Sequence, residues 1–236
     1  MLVLWDIDHT LLDAGPAGRD AYAAAFQAVA GRPLTAPWQF DGRTELAAAT
    51  EVLQAHGIDP ADGTLDRFLD QLVTQFRAYA DGIATEGRAL PSAAAALAAV
   101  GALHGVHQSV LTGNLYPLAV MKLTAFGLAD HLDLRLGAYG GDAYERTDLP
   151  AHAFARVERE LGRPHRPEDT VIVGDTLRDV ATARAAGTRI VAVATGSVGA
   201  DALAAAGADV VLTDLADTAA TLHAITGRPR RGPEQP

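Results

Sequence analysis

Polar side chains that could do chemistry follow three separate apolar runs of this chain. If the runs are parallel strands of one sheet, their carboxyl ends meet at one edge, which is where ligands bind in such sheets. Three matching sets at strand ends are less easily ascribed to chance than one. The sets are Asp6 and Asp8 after "LVLW" at 2–5, Thr112, Gly113 and Asn114 at the end of "SVLT" at 109–112, and Asp175 and Asp179 after "VIVG" at 171–174.

The three sets together suit chemistry on a phosphate ester. Asp6, Asp8 and Asp175 would crowd negative charge into a small volume, and Mg²⁺ is the divalent cation that suits carboxylates together with a phosphate oxygen. A carboxylate neutralised in this way can attack phosphorus, and a second one can move protons to and from the leaving group and water. The Thr112 hydroxyl and the backbone N–H groups of Gly113 and Asn114 are suited to holding phosphate oxygens.

The spacing of apolar residues predicts an α/β fold with a doubly wound parallel sheet. Continuous apolar runs are typical of strands buried on both faces, and helical patterns alternate with them. The predicted strands are 2–5, 109–112, 171–174, 190–194 and, more weakly, 209–213; the predicted helices between them include 116–126, 149–161 and 178–186.

Residues 15–85 interrupt this alternation with helical patterns alone, so we expect a helical insert after the first strand. Tyr22, Phe26 and Val29 share one helix face, and a stripe runs from Phe68 to Phe76 on another. The predicted domains are a core of 1–14 and 86–226 and the insert 15–85, with hinges near 13–15 and 85–87. Residues 227–236 show no periodicity and are predicted to be a flexible tail.

Composition narrows the classes of function. The chain has 236 residues, 49% of them hydrophobic, which is ample for a packed core, and no cysteine, which excludes disulfides and thiolate metal sites. A formal net charge of −10 argues against nucleic-acid binding. No run is long enough to span a membrane, and the N-terminus does not look like a signal peptide, so we expect a cytoplasmic protein without a membrane or nucleic-acid partner.

The motifs and their order resemble those of the haloacid dehalogenase-like superfamily, in the branch with a helical C1-type cap, whose members include phosphoglycolate-phosphatase-like hydrolases. "DIDHT" at 6–10 resembles the first motif, with His9 where glycine is usual; "LTGN" at 111–114 resembles the second, and "VIVGDTLRD" at 171–179 the fourth. The resemblance covers roughly residues 2–215.

This resemblance implies a role for each matching residue. Asp6 would be the nucleophile and a metal ligand. Asp8 would be the general acid and base and would bind Mg²⁺ through its backbone carbonyl. Asp175 would be the third metal ligand, and Asp179 would hold the ligands in position without binding the metal directly. Thr112 would bind the phosphoryl group.

The third motif of the superfamily usually contains a lysine, and here the chain departs from the pattern. Lys122 is the only lysine, but it lies soon after Thr112, at the wrong interval, and reads as structural or as a secondary phosphate contact. The right interval, "GGDAYERTDLP" at 140–150, offers Arg146 as a substitute, although a solvated surface arginine is the competing reading. Arg43, in "FDGRTE", could contact substrate from the insert or could cap local structure.

The sequence therefore predicts a Mg²⁺-dependent phosphatase that acts on a small phosphorylated metabolite through an aspartyl-phosphate. Two alternatives remain: a phosphoryl-transferring mutase of the β-phosphoglucomutase type, and a non-catalytic protein that binds a phosphorylated ligand. Each residue also has a structural reading: Asp6 and Asp8 as a turn, Asp175 as a helix N-cap, and Thr112 as a simple strand end. The substrate and the oligomeric state are left open.

Overall fold

The computed structural model describes residues 1–35, 42–162 and 164–227, and it has the α/β architecture that the sequence predicts. The strands are β1 (Leu2–Trp5), β2 (Leu12–Asp13), β3 (Arg88–Ala89), β4 (His107–Val110), β5 (Thr170–Gly174), β6 (Arg189–Val193) and β7 (Val210–Leu212). The helices are α1 (Gly15–Ala30), α2 (Glu45–Ala55), α3 (Thr64–Ala78), α4 (Ala80–Glu86), α5 (Ala93–Gly101), α6 (Tyr116–Ala125), α7 (Leu149–Leu161), α8 (Leu177–Ala186), α9 (Ala200–Ala205) and α10 (Thr218–Thr226).

Five of the strands form one parallel sheet in the order β4-β1-β5-β6-β7. Successive side chains of a strand point to opposite faces, and β1 shows this directly: Val3 and Trp5 pack into one buried cluster, Leu2 and Leu4 into another. Each face of the sheet therefore has its own apolar core, which is why the strands read as continuous apolar runs rather than alternating ones.

The second sheet strand along the chain lies two residues before its predicted position, at His107–Val110 rather than 109–112. The cause is a buried polar residue. Gln108 accepts a hydrogen bond from Trp5 Nε1 and donates to the carbonyls of Leu97 and His131. An amide with three partners is satisfied inside the core, but its polarity conceals it from any reading of apolar runs.

The part of the insert that the structure describes contains helices and no strand, as predicted. Its core is aromatic: the Tyr22 and Phe26 rings on α1 lie edge-on to Phe68 on α3, with ring centroids 5.3 and 6.1 Å apart. Phe68, Leu72 and Phe76 are buried along one face of α3, and the sequence "APWQF" at 36–40 lies outside the described residues.

The insert is joined to the sheet by a short antiparallel pair that the sequence did not reveal. β2 pairs with β3, Leu12 opposite Ala89 and Asp13 opposite Arg88, so the entering and leaving chains run side by side. Gly15 has φ +69°, and a Cβ there would lie 2.9 Å from the Glu86 carbonyl oxygen, so glycine is needed at this junction. The domain division at 15–85 and the hinges stay predictions, and the tail beyond Gly227 lies outside the described residues.

Helix ends follow the local rules that the sequence suggested. α7 and α8 are each followed by a glycine, Gly162 and Gly187, in the left-handed conformation. Among the described residues, no helix combines the length and the apolar character needed to cross a membrane.

Candidate active site

The three polar sets meet at the carboxyl edge of the sheet, at the mouth of a cavity between the core and the insert. Asp6 continues β1 by donating its backbone N–H to the Val173 carbonyl, 2.8 Å away, and Thr112 donates its own to Ala138. Thr112, Asn114 and Asp175 are buried, as is Asp6 at 6% exposure. Arg146 joins them from the 3-10 turn Arg146–Asp148, just before α7.

Arg146 links two of the carboxylates through one nitrogen. Its Nη2 lies 2.9 Å from Asp6 Oδ1 and 2.6 Å from Asp179 Oδ1, and the side chain is 5% exposed. Burial alone would lower the pKa of the guanidinium, but Asp179 and Asp6 hold it above its ordinary value. Arg146 is thus a fixed positive charge beside the candidate nucleophile, and not a solvated surface arginine.

Asp6 is surrounded by competing influences. Burial raises its pKa above the ordinary value, Arg146 lowers it, and Asp179 raises it again; the net direction is upward. The guanidinium of Arg146 alone therefore does not compensate for the desolvation and the nearby negative charge that disfavour the ionised form of Asp6.

Asp175 faces Asp6 and is also crowded. Burial is the largest cause of its raised pKa, followed by the negative charge of Asp6. Thr10 Oγ1 donates to Asp175 Oδ1 over 3.1 Å. A Cβ on Gly196 would lie 1.8 Å from Asp175 Oδ2, so only glycine leaves room for this carboxylate.

The donor set fits a hard divalent cation. One carboxylate oxygen from each of Asp6, Asp175 and Asp179 lies within 4.8 Å of the other two, and all three residues are buried. Oxygen ligands of this kind suit Mg²⁺. Because burial raises the pKa of both Asp6 and Asp175, an added positive charge would stabilise their ionised forms.

Asp179 is already occupied by the protein itself. Its Oδ2 accepts from the Thr176 backbone N–H and hydroxyl, and the Thr176 hydroxyl oxygen accepts from the Asp179 N–H, forming a capping box at the start of α8. Its other oxygen accepts from Arg146. A Cβ on Gly174 would lie 2.4 Å from the Asp179 carboxyl carbon, so glycine permits this packing.

Asp8 has a different environment from Asp6. Lys122 Nζ lies 2.8 Å from both of its oxygens and 2.7 Å from Asn114 Oδ1. Asn114 Nδ2 donates to Asp8 Oδ2 and to the Thr112 hydroxyl oxygen. Burial would raise the pKa of Asp8, but Lys122 and the hydrogen bonds from Lys122 and Asn114 outweigh it, and the pKa lies below its ordinary value.

The loop at 112–114 also holds the insert against the core. The Gly113 carbonyl accepts from the Glu45 N–H over 2.8 Å. A Cβ on Gly113 would lie 1.8 Å from the Arg43 carbonyl oxygen, so a larger residue would force the two parts of the chain away from each other. Two more bonds follow, from the Leu46 N–H to the Gly140 carbonyl and from the Thr44 hydroxyl to the Tyr144 carbonyl.

The space enclosed by these contacts is a cavity of about 870 Å³. Asp6, Asp8, Thr112 and Lys122 line it from the core, and Tyr22, Arg43 and Glu45 line it from the insert. The Arg43 guanidinium forms an ion pair with Glu51 of α2. Arg43 therefore reaches the cavity wall, as its sequence position suggested, while its charge is shared with a neighbour on the insert.

Comparison with known proteins assigns this arrangement to a family. The model of the haloacid dehalogenase-like hydrolases matches residues 1–187. The chain belongs to that family.

Curated proteins similar to this haloacid dehalogenase-like hydrolase are named phosphoglycolate phosphatases. The chain is 30% identical over 220 residues to a plasmid-encoded phosphoglycolate phosphatase of Cupriavidus necator, covering 90% of this chain and 89% of that protein. It is 26% identical over 229 residues to the phosphoglycolate phosphatase of Photorhabdus laumondii, with 93% and 91% covered. A solved hydrolase from Pseudomonas syringae shares the fold, with TM-score 0.67, 20% identity and 94% and 96% covered.

Two features of this haloacid dehalogenase-like site were missed or undervalued in the sequence. Thr10, the last residue of "DIDHT", bonds Asp175, and its place in the motif was the available signal. Lys122 forms an ion pair with Asp8 although its interval does not fit the third motif; the available signal was that it is the only charged residue of its helix. His9 occupies its position with φ 59°, a conformation that glycine adopts more readily, which accounts physically for the glycine usual there.

Proposed function

We propose that this chain is a Mg²⁺-dependent phosphatase that hydrolyses a small phosphorylated metabolite through an aspartyl-phosphate on Asp6. The observation that carries the proposal is the position of Asp6: it contacts Arg146, lies beside Asp175, and lines an 870 Å³ cavity that also contains Asp8. Family membership and the phosphatase names of the curated relatives support the same reaction class.

Two of the oxygens that would hold the metal, from the Asp6 and Asp175 carboxylates, already lie close together. Carboxylates of Asp6 and Asp175 and the backbone carbonyl of Asp8 are the proposed ligands, and Asp179, engaged with Arg146 and Thr176, keeps the loop after β5 in place. When bound, Mg²⁺ supplies positive charge that screens Asp6 from the phosphoryl oxygens and polarises the phosphorus centre.

Asp6 forms the covalent intermediate, and Asp8 transfers the protons. Asp8 is ionised before substrate binds and takes up one proton from the monoanion of the phosphate ester. An Asp6 oxygen attacks phosphorus, the ester P–O bond breaks, and the leaving oxygen takes that proton from Asp8. Asp8, now ionised, then takes a proton from the water that attacks the aspartyl-phosphate, which releases phosphate and restores Asp6. Lys122 favours the ionised Asp8 that the second half needs.

The remaining residues bind and orient. The Thr112 hydroxyl, the Gly113 backbone and Arg146 are the proposed contacts to phosphate oxygens. The side chain of Asn114 is already used on Asp8, Lys122 and Thr112, so we assign Asn114 chiefly to orienting Asp8. Arg43 would contact the part of the substrate nearest the insert, either with its ion pair to Glu51 intact or after that ion pair opens.

The test is hydrolysis of p-nitrophenyl phosphate with Mg²⁺, with and without chelator, by the parent, Asp6→Asn and Asp66→Asn. Asp6→Asn keeps the side-chain volume but removes the attacking charge, so its rate should fall by orders of magnitude while its circular dichroism spectrum is unchanged. Asp66, exposed in the first turn of α3, is the matched control and should keep full activity. Comparable turnover by folded Asp6→Asn, or by the parent in chelator, would overturn the mechanism.

A further inference from the structure

Glu45 is a charged side chain of the insert that none of the roles above uses. It is the first residue of α2, and its backbone N–H donates to the Gly113 carbonyl over 2.8 Å. This bond, and the one from Leu46 to Gly140, fix the start of α2 on the core. Glu45 is 9% exposed and lines the cavity beside Asp8 and Lys122.

The Glu45 carboxyl lacks a hydrogen-bond partner among the described residues. Its Oε2 is inaccessible to solvent and accepts no hydrogen bond from any described residue. Buried polar atoms are nearly always hydrogen-bonded, because leaving one unpaired costs most of its hydration. Burial raises the pKa of Glu45 to about 7, and the neighbouring Lys122 and Asp8 act in opposite directions. Oε2 itself is closed to a ligand, but Glu45 lines the cavity and no hydrogen bond from a described residue reaches its carboxylate, so a group that enters the cavity is the natural partner for the other oxygen.

The chemistry of that group follows from what already surrounds it. Asp8 is the proposed proton donor to the leaving oxygen, so the leaving group of the substrate must lie near Asp8. Glu45 lines the same cavity and is close enough to Asp8 and Lys122 for their charges to act on it. A carboxylate on the leaving group would meet Glu45 as a like charge. An ammonium would meet Lys122, which the structure holds next to Asp8. A neutral hydroxyl donates a hydrogen bond without either conflict.

The volume of the cavity also favours a polyhydroxy substrate. The cavity, at about 870 Å³, lies towards the upper end of the range of about 300–1,000 Å³ that is typical of sites for drug-sized ligands. A two-carbon acid phosphate would leave most of this space unfilled, whereas a longer polyhydroxy chain would occupy more of it and carry several hydroxyl donors.

We propose that Glu45 is a specificity-determining residue that accepts a hydrogen bond from a hydroxyl of the leaving group, so that this chain prefers phosphate esters of neutral polyhydroxy compounds over phosphorylated carboxylic acids. This inference rests on the proposed phosphatase function. On this proposal the chain hydrolyses phosphate esters, as relatives named phosphoglycolate phosphatases do, but it prefers a different class of substrate.

The test compares four substrates with Mg²⁺ at pH 8.5, above the raised pKa of Glu45. They are 2-hydroxyethyl phosphate, 2-phosphoglycolate and 2-aminoethyl phosphate, which share a two-carbon skeleton, and glycerol 3-phosphate as the longer hydroxylated ester. The parent should show higher kcat/KM for the two hydroxylated esters than for the other two. Glu45→Gln keeps the shape and removes the charge, so it should raise the kcat/KM ratio of 2-phosphoglycolate to 2-hydroxyethyl phosphate by at least ~10-fold, since adjacent like charges are costly.

Matched variants and a reference ester make the outcomes distinct. Asp66→Asn removes one negative charge from the same insert, away from the cavity, and should leave the ratio at its parental value. Glu45→Gln should melt no lower than the parent at this pH, because it removes a charge that burial disfavours, as the raised pKa of Glu45 indicates. A ratio that does not change in folded Glu45→Gln, or a parent that prefers 2-phosphoglycolate or 2-aminoethyl phosphate, overturns the role of Glu45 while Asp6-dependent hydrolysis of p-nitrophenyl phosphate still supports the phosphatase. Absence of that hydrolysis overturns both.

Discussion

Replacing Arg146 by alanine removes the only cation that contacts Asp6 among the described residues. One nitrogen of Arg146 serves both Asp6, at 2.9 Å, and Asp179, at 2.6 Å, and all three side chains are nearly inaccessible to water. Removing one partner of such a buried arrangement costs about 3–5 kcal/mol. Against a typical total stability of about 5–15 kcal/mol, this is a large fraction. At roughly 2–4 °C per kcal/mol for a chain of this size, Arg146→Ala should melt about 6–20 °C below the parent.

Turnover should fall for a related reason. Asp6 and the incoming phosphoryl group are both anionic, and Arg146 is the fixed charge beside them; removal of a comparable electrostatic stabiliser typically costs about 10²–10³ in kcat. Arg146→Lys should recover part of both losses. A single ammonium can serve two carboxylates as Nη2 does, but the lysine side chain is shorter than the distance that the loop is built to span.

The assay is kcat for p-nitrophenyl phosphate with Mg²⁺, inhibition by inorganic phosphate, and thermal melting of the parent and both variants. Arg135→Ala is the matched control, because Arg135 is an exposed arginine paired with Asp133 and should affect neither kcat nor melting appreciably. The reasoning is refuted if Arg146→Ala melts with the parent and keeps kcat within twofold. Equal kcat for Arg146→Lys and the parent would refute the argument about side-chain length.

Three further outcomes follow from the other charges of the site. Burial raises the pKa of Asp6 and Asp175 above the ordinary value of 3.8, so between pH 3.8 and the raised values the folded chain holds protons that the unfolded chain releases. The stability of the metal-free protein should therefore fall as the pH rises through this range. Mg²⁺ should raise the melting temperature more at pH 8 than at pH 5, and equal increases would contradict the proposed metal site. Asp8→Asn should slow hydrolysis by about 10²–10⁴, with a larger loss for alkyl than for aryl esters, since a good leaving group needs no proton; equal losses would remove Asp8 from this role. Lys122→Met should raise the pKa of Asp8, so the alkaline limb of the kcat/KM profile, where Asp8 loses the proton that it donates to the leaving oxygen, should move to higher pH; an unmoved limb would show that Lys122 does not control Asp8.

The sheet, and the edge of it that carries the candidate active site, could be predicted because their signals are local. Apolar runs placed the strands within two residues, and the glycines after α7 and α8 marked the ends of those helices. The order of motifs along the chain was enough to assign the superfamily, which the match over residues 1–187 confirms. β4 was misplaced because Gln108, a polar residue, is buried, and the β2–β3 pair was missed because two-residue strands show no periodicity.

The sequence by itself determined which residues come together at the edge of the sheet. Hydrophobic periodicity and motif spacing are properties of short segments, so they can be recognised in the sequence alone. What only the tertiary structure decided is which charge is paired with which. Arg146 and Asp6 are 140 residues apart, and Lys122 and Asp8 are 114 apart, so no local pattern couples them. The two aspartates of one motif acquire opposite pKa shifts because folding buries Asp6 among other carboxylates and places Asp8 against an amine. Glu45 is likewise an ordinary first-turn acid in the sequence, and only the docking of α2 on Gly113 buries it at the cavity wall, where its Oε2 has no hydrogen-bond partner among the described residues.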